Sequence, residues 1–173
     1  MKICLLWHMH QPWYRLPGTR VLHMPWVRMH ALKSYWGMAR LARRHEGQVM
    51  TFNLVPSLLA QVEAYGQGVR DELQLLCARS PGDLEVSERS RLLRDVFSLN
   101  ASLAIEPYPR YQALWLRYQA MDFREREAGC PGFSHQEIRD LQVWVDLVHM
   151  DEEARAEDPL VRELMLKGAG FSD

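Results

Sequence analysis

The chain contains 173 residues, of which 47% are hydrophobic and 25% are charged. This composition is typical of a soluble globular domain and excludes a disordered or collagen-like chain. The formal net charge is -1, so no basic field is present to hold a polyphosphate backbone, and we expect no nucleic-acid partner. The three cysteines, Cys4, Cys77 and Cys130, form no CxxC pair, which favours a reducing compartment over a disulfide framework.

A short apolar run opens the chain. It ends at Trp7 and leads into His8 without a small-residue cleavage site, so it is too short for a membrane span and unlike a signal peptide. We therefore expect a cytoplasmic location and no membrane partner. The continuous apolar residues at positions 3–7 predict a strand that is buried on both faces of a parallel sheet.

Helical and strand patterns alternate after this run. Apolar residues recur at helical spacing over residues 27–44, and β-branched and aromatic residues predict a second strand over residues 49–54. Pro56 suits the first turn of a further helix, which Gly66 closes. The order strand, helix, strand, helix predicts the start of a parallel α/β sheet.

From residue 69 onward the patterns are helical. The predicted features, in chain order, are a short helix around Leu73, a break at Pro81-Gly82, a helix capped by Ser87, a single helix over residues 108–126, a capping box at Ser134 and Glu137, and a last helix that begins at Asp158-Pro159 and ends at Gly168. The aromatic residues at helical spacing in this half, including Tyr111, Trp115 and Tyr118, are expected in the core.

Two strands followed only by helices form an incomplete sheet. Such a sheet leaves strand edges unpaired and apolar faces uncovered, and a complete β/α barrel needs about 250 residues. We therefore expect that partner strands come from elsewhere. On this interpretation residues 1–68 begin a barrel and residues 69–173 form a helical segment.

The most specific stretch begins at His8, directly after the first strand, where β/α enzymes place their sites. Because alternate residues of a strand share a face, His8 and His10 are expected to face one cavity. Three interpretations are open at this point: a metal-binding pair, hydrogen-bond donors to a hydroxyl-rich substrate, or histidines that are merely packed or solvated.

Two further stretches contain candidate ligand residues. Trp26 could stack on a sugar ring, and Arg28, His30 and Lys33 could donate to hydroxyl groups. An amphipathic helix with a solvated basic face explains the same pattern. Asn53 ends the second predicted strand, where a ligand role and a turn-capping role are both open.

Carboxylates are plentiful, but no catalytic pair is recognisable. The acidic runs at Asp71-Glu72, Asp151-Glu152-Glu153 and Glu157-Asp158 lie at predicted helix starts or in loops. We interpret them as caps, dipole partners and solvated charge. A glycosidase needs two facing carboxyl groups, and the sequence shows neither such a pair nor a GxSxG, HExxH or phosphate-loop motif.

Taken in order, these stretches resemble glycoside hydrolase family 57, which contains α-amylases and 4-α-glucanotransferases. His10-Gln11-Pro12 looks like the first conserved region of that family, and residues 25–30, 52–59 and 144–168 are similar to segments that follow it. The resemblance implies an α/β fold that is the N-terminal part of an incomplete (β/α)7 barrel, with two parallel strands followed by a helix-rich insertion. It also implies retaining chemistry by a Glu nucleophile and an Asp acid/base, both on later strands.

The resemblance further implies which residues bind sugar. His10 is expected beside the scissile bond, Gln11 shapes its loop, and Trp26, Arg28 and Asn53 are further pocket residues. Neither catalytic carboxylate has a counterpart here, so we predict no catalytic residue, no metal and no cofactor in this chain. The predicted partners are an α-glucan or maltooligosaccharide and the missing C-terminal portion of the barrel.

Two other functions stay open. The pair His8 and His10 would also suit a metal-dependent carbohydrate deacetylase or a mannosidase-like barrel, where a similar strand end holds zinc. The helix-rich second half would suit a non-catalytic helical binding module.

Overall fold

The computed structural model describes residues 3–45 and 47–172 and has an α/β architecture, as predicted. Its contacts divide the chain into two compact units, one that ends at Glu72 and one that begins at Leu73. Within the described residues, no helix is both long enough and apolar enough to cross a membrane.

The first unit combines short strands with helices. Its elements are, in chain order, β1 (Leu5–Met9), β2 (Val21–Leu22), α1 (Trp26–His30), a π-helical turn (Ala31–Tyr35), α2 (Trp36–Arg44), β3 (Met50–Leu54), α3 (Pro56–Gly66) and β4 (Arg70–Asp71). The strand and helix order expected from the sequence is therefore present, with two short strands in addition.

The main sheet of this unit consists of β1 and β3, which run parallel with Leu5 opposite Met50 and Met9 opposite Leu54. The predicted parallel pair is confirmed. β1 continues past its predicted end at Trp7, because the backbone hydrogen bonding continues: the N–H of Val55 donates to the carbonyl of Met9 at 3.2 Å. The main sheet thus reaches the histidine stretch.

A π-helical turn interrupts the helix that the sequence predicts over residues 27–44. The backbone is α-helical in α1 and α2, and the wider π winding occupies Ala31–Tyr35 between them. The ring of Tyr35 packs against a cluster of Met9, Val27 and Leu58. This packing accompanies a winding that is rare in proteins and is frequently found at functional sites.

The second sheet was not predicted. β2 and β4 pair in parallel over two residues each, and Leu22 of β2 is buried with Ala64 and Val69. Strands this short have no readable period. By contrast, Pro56 occupies the first turn of α3 as expected.

The second unit is helical. From Glu72 onward the elements are α4 (Glu72–Cys77), a 3₁₀ turn (Pro81–Asp83), α5 (Val86–Val96), α6 (Ala101–Ala104), α7 (Pro109–Ala120), α8 (Phe123–Glu127), α9 (His135–Leu147), α10 (Glu152–Glu157) and α11 (Pro159–Lys167). Tyr111 and Tyr118 are buried, as predicted for these aromatic residues, whereas Trp115 is only half-buried.

Several helix ends agree with the sequence signals. The side chain of Ser134 caps α9 in a reciprocal box with Glu137, and Asp158 caps α11 at the N–H groups of Leu160 and Val161. Gly168 ends α11 in the left-handed conformation, at a φ of 68°, which suits a residue without a Cβ atom.

Two predictions for helices in this half were wrong. The predicted cap at Ser87 lies inside α5, because Glu85 occupies the cap position and forms the capping box with Glu88. The single helix predicted over residues 108–126 is two helices, α7 and α8. Asp122 accepts a hydrogen bond from the backbone N–H of Glu125 and begins a new helix there.

Candidate functional site

Three polar side chains gather where β1 and β3 end. His8 lies opposite Asn53 in the register of the two strands, so both side chains project from the same face of the main sheet. The imidazole rings of His8 and His10 are stacked, with 5.9 Å between their centroids and 8° between their planes. All three side chains are exposed. The structure therefore brings the predicted ligands His10 and Asn53 to one edge.

The backbone that follows His10 is held by side chains from two helical segments. The hydroxyl of Tyr35, in the π-helical turn, donates to the carbonyl of His10 at 3.3 Å. From α3, the hydroxyl of Ser57 donates to the carbonyl of Gln11 at 2.8 Å, and the amide of Gln61 donates to the carbonyl of Pro12 at 2.8 Å. Three successive carbonyls are thus fixed, which orients His10.

Gln11 is buried, and both ends of its amide are occupied. Its Nε2 donates to the hydroxyl of Tyr35, and its Oε1 accepts from the hydroxyl of Tyr14, each at 3.1 Å. Burial and the nearby Tyr35 raise the pKa of Tyr14, so the Tyr14 hydroxyl remains a donor. Gln11 is placed to shape the loop that carries His10, as the resemblance implied.

Gln61 was not identified from the sequence, although it is the most enclosed polar residue of this network, with 1% of its surface exposed. Its Oε1 accepts from the backbone N–H of Tyr14, and its Nε2 donates to the carbonyls of Pro12 and Ser57, each at 2.8 Å. Its only sequence signal is a position three residues after the buried Leu58, on the inner face of α3.

Arg28 and Asp71 form a buried ion pair. Arg28 Nε lies 2.8 Å from Asp71 Oδ2, and the two side chains are 8% and 0% exposed. The hydroxyl of Tyr65 also donates to Asp71 Oδ2, at 2.9 Å, and burial together with the Asp71 carboxylate raises the pKa of Tyr65. The interpretation of Asp71 as a solvated charge was therefore wrong. The Nε group of Arg28, a predicted donor to sugar, donates to Asp71.

Other acidic residues behave as predicted. Asp151 caps α10 by accepting hydrogen bonds from the N–H groups of Glu153 and Ala154. Asp158 has the same role in α11. These carboxylates satisfy helix ends and are not paired for acid/base chemistry.

α1 contains two further candidates, Trp26 and His30. The imidazole of His30 lies 5.9 Å from the ring of Tyr35, and desolvation lowers the pKa of His30, so its ring is neutral at pH 7 and both donates and accepts. Trp26 is half-buried at the start of α1. Among the described residues, Trp26 makes no ring contact or hydrogen bond with His10 or Asn53.

The set of potential metal ligands at this edge is small. Within residues 3–45 and 47–172, no group of three His, Cys, Asp or Glu side chains is close enough to hold a metal ion. His8 and His10 supply two imidazoles, whereas protein zinc sites use at least three protein ligands.

Comparison with protein families gives a match to this chain. The family model described as Glycosyl hydrolase family 57 matches residues 4–127. The matched segment includes the histidine stretch, α1, β3 and α3, and it ends before the stretch over residues 144–168 that the sequence resemblance also included. Searches of curated proteins and of solved structures gave no match.

Proposed function

The chain belongs to glycosyl hydrolase family 57, and we propose that it contributes a sugar-binding edge to an α-glucan-processing barrel. On this proposal residues 1–68 begin the barrel, residues 69–173 are a helical insertion, and the ligand is an α-glucan or maltooligosaccharide. The family match makes the chain a carbohydrate-active domain of glycoside hydrolase type.

The observation that carries the proposal is the presentation of His10. Its imidazole is exposed and stacked on that of His8, which lies opposite Asn53, while Tyr35 and Gln61 fix the backbone on either side of Gln11. Imidazole and carboxamide groups both donate and accept hydrogen bonds. They therefore suit the hydroxyl groups of a sugar, and a fixed backbone lowers the entropy lost on binding.

The surface of the main sheet supports the idea that further strands complete the barrel. Apolar side chains are exposed along both strands, including Leu6 at 60% and Phe52 at 36%, and Val49 just before β3 is 93% exposed. Parallel strands are normally covered on both faces. We propose that additional strands of an incomplete (β/α)7 barrel cover these residues.

The catalytic carboxylates belong to those additional strands. The residues at and just after the ends of β1 and β3, His8 to Pro12 and Asn53 to Ser57, include neither Asp nor Glu. Asp71 is buried and engaged by Arg28 and Tyr65. A retaining glycosidase needs two carboxyl groups about 5–5.5 Å apart, so we expect no turnover of maltooligosaccharides by this chain alone.

Isothermal titration calorimetry with maltoheptaose tests the proposed site. Substituting His10→Ala removes one hydrogen-bonding group and is expected to weaken the affinity about 3- to 10-fold. His135→Ala, at an exposed histidine of the second unit, is the matched control and is expected to have no effect. Equal affinities for the wild type and His10→Ala would overturn the proposal.

A turnover assay tests the second part of the proposal. Release of reducing sugar from maltoheptaose is expected to stay at the background level at every concentration of the purified chain. Activity that survives stringent purification and scales with the chain would show that the catalytic groups lie within it.

The stacked imidazoles of His8 and His10 also keep a zinc-dependent deacetylase or mannosidase-like function as the second candidate. Elemental analysis separates the two functions. Stoichiometric zinc in the wild type that is lost in both His8→Ala and His10→Ala would favour the metal-dependent reaction over sugar binding by these imidazoles.

A helical binding module is less well supported. The aromatic residues that would form its platform, including Tyr111 and Trp144, are buried in the core of the second unit.

A further inference from the structure

The second unit contains a cavity that the proposed barrel site does not use. Its volume is about 600 Å³, and residues along one side of α5, the end of α7 and α8 line it. Cavities that bind small molecules span about 300–1,000 Å³, so this one has room for a ligand.

Two aromatic residues line the cavity in different ways. Phe123, at the start of α8, is 77% exposed, which is a large apolar area for a water-facing ring. Tyr118 is buried, its ring lies 4.9 Å from that of Phe97, and the guanidinium of Arg126 lies 4.5 Å from its centroid. Phe123 thus offers a free ring face, while Tyr118 is anchored.

The hydroxyl of Tyr118 is available to a ligand. Within residues 3–45 and 47–172, no group forms a hydrogen bond with it. Burial raises the pKa of Tyr118, so its hydroxyl keeps its proton and can both donate and accept. A hydroxyl that lines a cavity and has no protein partner can exchange hydrogen bonds with whatever fills the cavity, water or a ligand.

The charged residues of the cavity are of both signs. Arg91, Arg94 and Arg126 lie in its lining together with Glu85 and Glu127. These residues provide guanidinium donors and carboxylate acceptors side by side.

The excess positive charge of this lining is reduced further by Asp95. Its carboxylate lies 3.6 Å from Arg91 Nε and 3.3 Å from Arg94 Nε. A site for a phosphate or carboxylate would instead concentrate unpaired cations. The mixture of donors and acceptors suits a neutral ligand with many hydroxyl groups.

From these features we infer that the cavity between α5, α7 and α8 is a second carbohydrate-binding site, which holds a neutral glucan segment apart from the His10 edge. The apolar face of one sugar ring stacks on Phe123. Its hydroxyl groups meet Tyr118, Arg94 and Glu127. The choice of a glucan as the ligand rests on the proposed function, whereas the cavity and its chemistry do not.

Backbone amide NMR with maltoheptaose and the whole chain tests this inference, because the shifts locate each site separately. We expect shifts at the amides of α8 and of the first half of α5. Phe123→Ala is expected to weaken binding there roughly 10-fold. Leu103→Ala is the matched control, since Leu103 is 69% exposed in the same unit and lies outside the cavity lining.

A second pair of variants keeps the test independent of folding. Glu127→Gln preserves size and Arg94→Gln shortens the side chain; each removes one charge at an exposed position, and both are expected to weaken binding at the cavity. His10→Ala is expected to leave the shifts of α5 and α8 unchanged.

The outcomes separate this inference from the proposed function. Maltoheptaose shifts confined to β1 and β3 would overturn the second site and leave the His10 edge intact. Shifts confined to α5 and α8 would support the second site and count against the His10 edge. Inorganic phosphate that shifts the cavity amides while maltoheptaose does not would overturn the inference in favour of an anion site.

Discussion

The buried ion pair of Arg28 and Asp71 allows a quantitative prediction. Asp71→Ala removes the carboxylate and leaves a guanidinium that is 8% exposed without this partner. Loss of one member of a buried pair costs about 3–5 kcal/mol, which is a large part of the roughly 5–15 kcal/mol that stabilises a typical domain. We expect Asp71→Ala to lower the free energy of unfolding by that amount, measured by urea titration with circular dichroism.

Two further variants make the comparison sharp. Asp95→Ala breaks a pair in which Arg94 is 64% exposed, and exposed pairs contribute about 0–1 kcal/mol. The double variant Arg28→Met/Asp71→Leu removes both buried charges and is expected to recover much of the loss, since an apolar replacement leaves no unpaired ion. If Asp71→Ala costs no more than Asp95→Ala, the pair does not anchor α1 and Arg28 is free to act at the sugar site.

Other predictions concern the loop network and one helix end. Gln61→Leu is expected to lower the free energy of unfolding in urea by about 1–3 kcal/mol, because buried backbone groups lose their hydrogen-bond partner. Gln67→Leu, at an exposed position, is the control and should lower it little. Similar values for both variants would refute the role of Gln61 in holding the loop after His10. Burial raises the pKa of Glu137, but hydrogen bonds from Ser134 and Arg117 outweigh it and lower the pKa below 4.5. The unfolded state therefore binds the proton first as the pH falls. The stability that Glu137 contributes is fully present above about pH 4.5 and is lost as the pH falls through the lowered pKa. In thermal melts from pH 7 to pH 3, the melting temperature of Glu137→Gln should therefore fall less steeply at acid pH than that of the wild type. The same fall in both proteins would contradict this.

The sequence predicted the parts of the fold that depend on local signals. The parallel pair follows from two apolar or β-branched runs separated by a helix, and the caps at Ser134 and Asp158 follow from side chains that reach the N–H groups of their own helices. His8 and Asn53 were each predicted at the C-terminal end of a strand, and the register of the folded sheet places them opposite each other.

The features that the sequence did not reveal depend on distant partners. Arg28 meets Asp71 across 43 positions, and Gln61 meets Tyr14 across 47. The sequence around Arg28 and Gln61 looks the same as it would if these side chains faced water. Only the packed structure shows that both are buried. The π-helical turn is a further feature of this kind. The apolar spacing of residues 27–44 predicts a continuous α-helix, and the wider turn accompanies the packing of Tyr35 against core residues.

NMR of the histidine side chains tests the central claim most directly. The imidazole resonances of His10 and the carboxamide resonances of Asn53 would be followed as maltoheptaose is added to the ¹⁵N-labelled chain, with His135 as the internal control. We expect concentration-dependent shifts at His10 and Asn53 and none at His135. Resonances of His10 and Asn53 that stay unchanged at saturating maltoheptaose would contradict a sugar-binding role for the ends of β1 and β3.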